Sequence, residues 1–144
     1  MKDVHIDNRE TLKEGISFTI ETLREYHSEY ENKQHFSLIL GNDAFASFKS
    51  WKNWGEILNL SSLIVISRPN CDFLEGYLDE FKKNIVSSSS DFLSGHGKIN
   101  FVETSMLDIS SSEIRKTINN SDFNEDTLDG DVYEYIKKNS LYKN

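Results

Sequence analysis

Leu63-Ile64-Val65-Ile66, followed at once by Ser67-Arg68-Pro69-Asn70, is the stretch on which the fold turns. A continuous aliphatic run of this length, closed by a proline-bearing turn, reads as a buried strand. Unbroken runs, rather than alternating ones, suit strands covered on both faces, as in parallel sheets. Upstream, Phe36-Ser37-Leu38-Ile39-Leu40 reads as a second buried strand, stopped by Gly41-Asn42-Asp43. Downstream, Ile99-Asn100-Phe101-Val102 reads as a third.

Helical patterns separate these strands. Ile16, Ile20, Leu23 and Tyr30 recur at helical spacing among charged residues, which predicts a helix from about Thr19 to Glu31. Trp51 to Leu58 reads as a second helix, and Phe73, Tyr77, Phe81 and Ile85 mark a third, amphipathic one. Further helices are expected near Ser111 to Ile118 and Val132 to Lys138. Val4-His5-Ile6 is a candidate short strand, while Ser87 to Ser90 and Ser94-Gly95-His96-Gly97 read as loop. Strands alternating with helices imply an α/β fold with a parallel sheet. With no internal repeat and no linker, residues 1–144 read as a single domain.

Hydrophobic residues make up 37% and charged residues 28% of the 144, an ordinary globular mixture. The formal net charge of −8 argues against general affinity for DNA, RNA or anionic membranes. It leaves room for a phosphate-bearing small molecule, which needs only a local positive site. No apolar run approaches the roughly 20 residues of a membrane helix. Met1-Lys2-Asp3-Val4 lacks the layout of a secretion signal, so the expected location is cytoplasmic. Cys71 is the single cysteine, which excludes an internal disulfide and a thiolate zinc cluster. His5, His27, His35 and His96 lack metal-ligand spacing and read as surface residues. No metal site is expected from the side chains.

The segment richest in chemistry is Asp108-Ile109-Ser110-Ser111-Ser112-Glu113-Ile114-Arg115. Ser110 and Glu113 have capping-box spacing, so a helix should start here. That spacing also describes an ordinary capped surface helix. A helix start, however, offers unpaired N–H groups and a positive dipole end to an anion. With Ser110, Ser111 and Ser112 around it and the Arg115 fork one turn on, it suits a polyphosphate. Asp43 and Arg68 each follow a strand, the position where open α/β sheets bind ligands. A turn-capping aspartate and a solvated arginine account for the same residues equally well. Trp51 and Trp54 read as core or core edge, and either could stack a flat heteroaromatic ring.

Taken in order, these blocks resemble bacterial nicotinate-mononucleotide adenylyltransferases, within the Rossmann-like nucleotidyltransferases. Gly15-Ile16-Ser17-Phe18-Thr19-Ile20-Glu21-Thr22-Leu23 is similar to the family's G-P-S-Y-T-x-x-T-L, and Ile39-Leu40-Gly41-Asn42-Asp43 to its I-G-x-D. The stretch from Phe48 to Leu58, with Trp51 and Trp54, resembles F-x-x-W-x-x-W-x-x-I-L. Val65-Ile66-Ser67-Arg68-Pro69 resembles the strand followed by R-P, and Ile109 to Arg115 resembles I-S-S-T-x-I-R. Tyr135-Ile136 with Leu141-Tyr142 resembles the closing Y-I…L-Y. The likeness runs across nearly the whole chain, with Ile16, Phe18 and Ser112 as mild departures.

The resemblance implies roles. Thr19 and Lys52 would hold the nicotinate carboxylate, largely through backbone N–H groups, and Trp51 would stack on the pyridine. Asp43 would contact the nucleotide near the junction of the two substrates. Ser110, Ser111, Ser112 and Arg115 would hold the ATP phosphates, with Arg68 at the same pocket. The implied reaction joins nicotinate mononucleotide to the α-phosphate of ATP with Mg²⁺, giving deamido-NAD and pyrophosphate. The family's G-G-T-F-D-P-x-H-x-G-H loop has no counterpart here, so no catalytic residue is assigned. Ser94-Gly95-His96 does not replace it, because Leu93 stands where its first histidine should be. Met1 falls about where the family's third strand begins. The expectation is therefore a Rossmann-like fold incomplete at its N-terminus, as a longer product, a homo-oligomer or a chain completed by another. A nucleotide-binding remnant without catalysis stays open. So does a related enzyme acting on nicotinamide mononucleotide or pantetheine phosphate, although the tryptophan block and Gly15 to Thr19 favour the nicotinate enzyme.

Overall fold

A computed structural model describes residues 4–31, 33–67, 76–104, 111–120, 123 and 127–142. The chain divides into two compact units, Met1–Thr104 and Ser105–Asn144. The first carries the sheet: β1 (Ser37–Gly41), β2 (Ser62–Ser67) and β3 (Ile99–Glu103), in the order β1-β2-β3 and parallel throughout. Parallel neighbours cannot be joined by a tight turn, so each connection crosses over through helical turns. Between β1 and β2 lie α2 (Asn42–Ala46), a 3₁₀ turn at Phe48–Ser50 and α3 (Trp54–Leu60). Between β2 and β3 lie a 3₁₀ helix at Tyr77–Phe81 and α4 (Ser89–Leu93). Ahead of the sheet runs α1 (Thr19–Glu29).

Register explains where the core sits. Leu38 stands beside Leu63, Leu63 beside Ile99, and Val65 beside Phe101. Alternation puts these side chains and Leu40 on one face, and all of them belong to a single core with Ile20 and Leu23 of α1 and Ile57 and Leu58 of α3. Phe45 of α2 is the aromatic centre of that core, with rings of Tyr77, Phe81 and Phe101 at 5.4–5.5 Å. The other face is thinly covered: Ile39 is 67% exposed. The aliphatic run of β2 therefore faces a full core on one side only.

Several expectations change. Residues 4–8 form no strand, and Val4 and Ile6 are exposed with no strand among the described residues to pair them. Of the helix expected through Phe73 to Ile85, Phe73 lies outside the described residues; within 76–85 only the 3₁₀ helix Tyr77–Phe81 forms, and Ile85 instead bridges to Ile99. Gly41-Asn42-Asp43, which ends β1 as expected, also opens α2 directly. Of the serines after Val86, Ser87 and Ser88 stay outside the helix while Ser89 and Ser90 open α4, capped by Ser88, which accepts the Asp91 N–H at 3.0 Å. The helix at the tryptophans starts at Trp54, not Trp51, since Asn53 takes the left-handed conformation at φ 54°.

The second unit holds α5 (Ser111–Thr117) and α6 (Gly130–Lys138); Ile118, just after α5, and Ile136, on α6, are buried. Lys137 Nζ donates to the Ile118 carbonyl at 3.1 Å. Asp129 caps α6 by accepting the Asp131 N–H at 3.0 Å.

Candidate functional site

A pocket of about 280 Å³ opens at the start of α1, lined by Ser17, Phe18, Thr19, Ser50, Trp51, Lys52 and Ile57. Two segments distant in sequence build it. Thr19 is the first residue of α1, whose N-cap Phe18 offers no side-chain hydrogen bond. The first amides of a helix have no partner within the helix, so this end presents donors and partial positive charge. The opposite wall is the turn after Phe48–Ser50: Trp51 N–H donates to the Phe48 carbonyl at 3.0 Å, and the Trp51 ring meets Phe48 edge-on at 5.6 Å. Trp54 packs between Phe48 and Phe81 instead. Both tryptophans pack against the core, and of the two Trp51 also lines the pocket.

Charge at the pocket centres on Lys52. Its Nζ stands 4.0 Å above the Phe18 ring and 2.7 Å from Glu21 Oε1. The hydrogen bond from Lys52 holds the Glu21 carboxyl below the usual carboxylate range. Farther along, Arg24 of α1 grips Glu56 of α3 with two bonds, Nε to Oε1 at 2.7 Å and Nη2 to Oε2 at 2.6 Å. That fork, together with Asn53, brings the Glu56 carboxyl down to about 2. The clamp ties the helix bearing Thr19 to the segment bearing Trp51 and Lys52.

The strand-end aspartate occupies a different place. Asp43 is exposed in the first turn of α2, and a Cβ on Gly41 would lie 2.8 Å from its Oδ1. Glycine at 41 leaves room for the carboxylate to fold back over the end of β1. Between them Asn42 is buried, and neither its Oδ1 nor its Nδ2 has a hydrogen-bond partner among the described residues. In the second unit, Ser111, Ser112 and Arg115 lie on α5 and are exposed, with Arg115 Nη2 donating to Ser111 Oγ at 3.4 Å. Arg68 and Ser110 lie outside the described residues. Among the sequence candidates, then, the structure brings Thr19, Trp51 and Lys52 to one pocket. Glu21 gave no signal in the sequence: it is 31 positions from Lys52, and no spacing rule connects them.

The histidines correct a second expectation. His27 is 6% exposed in the last turn of α1, where Nε2–H donates to the Leu60 carbonyl at 2.7 Å. His96 packs 5.2 Å from the His27 ring and 5.1 Å from that of His35, and accepts the Phe36 N–H on Nε2 at 3.4 Å. His27, His35 and His96 are packing residues, whereas His5 is exposed as expected. No cluster of three or more His, Cys, Asp or Glu side chains among the described residues could hold a metal ion. Nor is any described helix long and apolar enough to cross a membrane.

Comparison with known proteins adds the family. The chain is 32% identical over 142 residues to a probable nicotinate-nucleotide adenylyltransferase of Hahella chejuensis (strain KCTC 2396). Against one of the same description from Psychromonas ingrahamii (strain DSM 17664 / CCUG 51855 / 37) it is 38% identical over 148 residues. Each match covers 96% of this chain but only 65% of the relative, so the chain spans just under two thirds of their length. A solved Plasmodium falciparum nicotinic acid mononucleotide adenylyltransferase, complexed with APC, superposes with a TM-score of 0.60 at 20% identity, covering 90% of this chain and 60% of that one. The same description with NaAD bound gives 0.58 at 21%, covering 88% and 58%. At such identities the likeness speaks for the fold alone, a Rossmann-like α/β fold. The cytidylyltransferase-like family model matches residues 2–117, from ahead of α1 through α5, and the chain belongs to that family.

Proposed function

We propose that the chain binds nicotinate mononucleotide and ATP and serves adenylyl transfer between them, forming deamido-NAD and pyrophosphate in NAD synthesis. One observation carries this reading: a pocket that sets an aromatic wall, Trp51, against an uncapped helix start and the Lys52 ammonium. That combination suits a flat ring bearing a carboxylate. The relatives at 32% and 38% identity carry names for this chemistry, which supports the reading. In the reaction a phosphate oxygen of the mononucleotide bonds to the α-phosphorus of ATP, the bond to the β-phosphate oxygen breaks, and pyrophosphate leaves. Such a displacement asks the protein for alignment and charge stabilisation, with no covalent intermediate.

Each residue then has a part. Thr19 and Lys52 hold the ring carboxylate, Trp51 stacks on the pyridine, and Asp43 contacts the nucleotide. Ser110, Ser111, Ser112, Arg115 and Arg68 hold the ATP phosphates. Mg²⁺ would arrive on those phosphates, since the described side chains build no metal cage of their own. The two units acting as one nucleotidyltransferase domain belongs to the same proposal, supported by a family match that runs through both. So does work in the cytoplasm. Calorimetry with nicotinate mononucleotide, nicotinamide mononucleotide and ATP tests it. Binding of the acid more tightly than the amide is expected, and absence of heat with both mononucleotides overturns the reading.

A further inference from the structure

Among the described residues Lys52 is the only cation lining the pocket, yet its charge is already answered from outside it. Nζ hydrogen-bonds to Glu21 Oε1 at 2.7 Å, and Glu21 is not one of the lining residues. The ammonium is also fixed over a pocket wall, 4.0 Å above the Phe18 ring. Resting on the reading that this pocket takes the nicotinate ring, we infer that Glu21 is a resident counter-anion, and that transfer of Lys52 from Glu21 to the ligand carboxylate sets the preference for the acid over the amide.

The other cations near Glu21 have commitments of their own. Lys13 pairs with Glu25 at 2.5 Å, and Arg24 pairs with Glu56 at 2.6 Å. Among the described residues Lys52 pairs with the Glu21 carboxylate alone, so it can change partner without dismantling the α1–α3 clamp. A carboxylate entering at the start of α1 meets two opposed charges: it gains Lys52 and is repelled by Glu21, which stands two residues into the same helix. A carboxamide carries no charge, so the exchange gives it nothing. Glu21 thereby lowers affinity for the acid below what the helix start and Lys52 could deliver, and keeps Lys52 from sitting unpaired when the pocket is free. Both side chains are partly exposed, at 34% and 44%, so water screens the pair and the effect is modest.

The test is calorimetric titration of the full chain with nicotinate mononucleotide and with nicotinamide mononucleotide. Glu21→Gln should tighten binding of the acid by about threefold to fivefold, the range open to a screened ion pair, and move the amide by less than about twofold. Lys52→Met should weaken the acid selectively, Lys52→Arg should retain the preference, and added salt should erase the gain in Glu21→Gln. In the double variant Glu21→Gln/Lys52→Met the two effects should fail to add, since each change acts through the same contact. If wild type binds the mononucleotides but Glu21→Gln shifts acid and amide alike, or neither, the exchange is wrong while the functional reading stands. If wild type binds neither, both fall together. Circular dichroism of each variant separates lost folding from lost selectivity, and Glu21→Gln with its salt dependence decides the matter should Lys52→Met not fold.

Discussion

The two ends of α1 treat their polar residues in opposite ways. At its start, Phe18 and Thr19 line a pocket in which the helix has no side-chain cap and Lys52 has one exchangeable partner. At its far end, His27 packs edge-on to Phe36 at 4.9 Å and to His96, and its Nε2–H is committed to a backbone carbonyl. One end offers helix donors and an ammonium with an exchangeable partner, and the other commits its histidine to packing. Residue type does not distinguish them. Histidine invites a catalytic reading more readily than lysine, yet here it is the lysine end that opens on a pocket.

Breaking the helix that joins both ends should have the largest effect. Ile20 is fully buried between them, so Ile20→Ala should cost about 2–5 kcal/mol in urea unfolding. A loss under about 1 kcal/mol would show that α1 is not anchored as described. Next comes the pocket alone. Trp51→Ala should weaken nicotinate mononucleotide by about tenfold, from loss of a stacking partner, and leave ATP binding unchanged. Equal loss for ATP in calorimetry would count against the stacking role.

The histidine end should respond to pH. Burial and the nearby His35 and His27 hold the His96 imidazole below the ordinary histidine range. A base with a lowered folded value contributes stability that is fully present above its unfolded value, near 6.5, and is lost as pH falls below it. The geometry gives the reason: protonated Nε2 could no longer accept the Phe36 N–H. Urea midpoints measured from pH 7.5 to 5 should therefore fall in wild type and stay flatter in His96→Gln. The smallest effect belongs to the Arg24–Glu56 clamp. The Glu56 carboxyl stays ionised down to about 2, so the pair's contribution is present above the usual carboxylate range and fades as pH falls toward 2. Both groups are solvent-exposed, and Arg24→Gln should shift the midpoint at pH 7 only slightly.

Legibility in the sequence followed the range over which each signal acts. The runs at 36–40, 63–66 and 99–102 announced the three strands because an apolar run is a local signal, although the sheet they form meets a full core on one face only. Val4-His5-Ile6 shares the composition but has no described neighbour to pair with, and pairing is not local. Trp51 and Trp54 were indistinguishable by type; the left-handed Asn53 between them decides which one reaches the pocket. The Lys52–Glu21 pair and the contacts of His96 with His27 and His35 join positions 31 or more apart, where spacing carries no information.

Asn42 has a consequence of another kind. A buried amide with neither atom partnered costs more than an apolar side chain of the same size, so Asn42→Leu should raise the unfolding midpoint. Natural chains sit above a threshold of stability rather than at an optimum, and position 42 is where this one has left stability untaken. A more robust version of the molecule, made for storage or crystallisation, starts with that single codon.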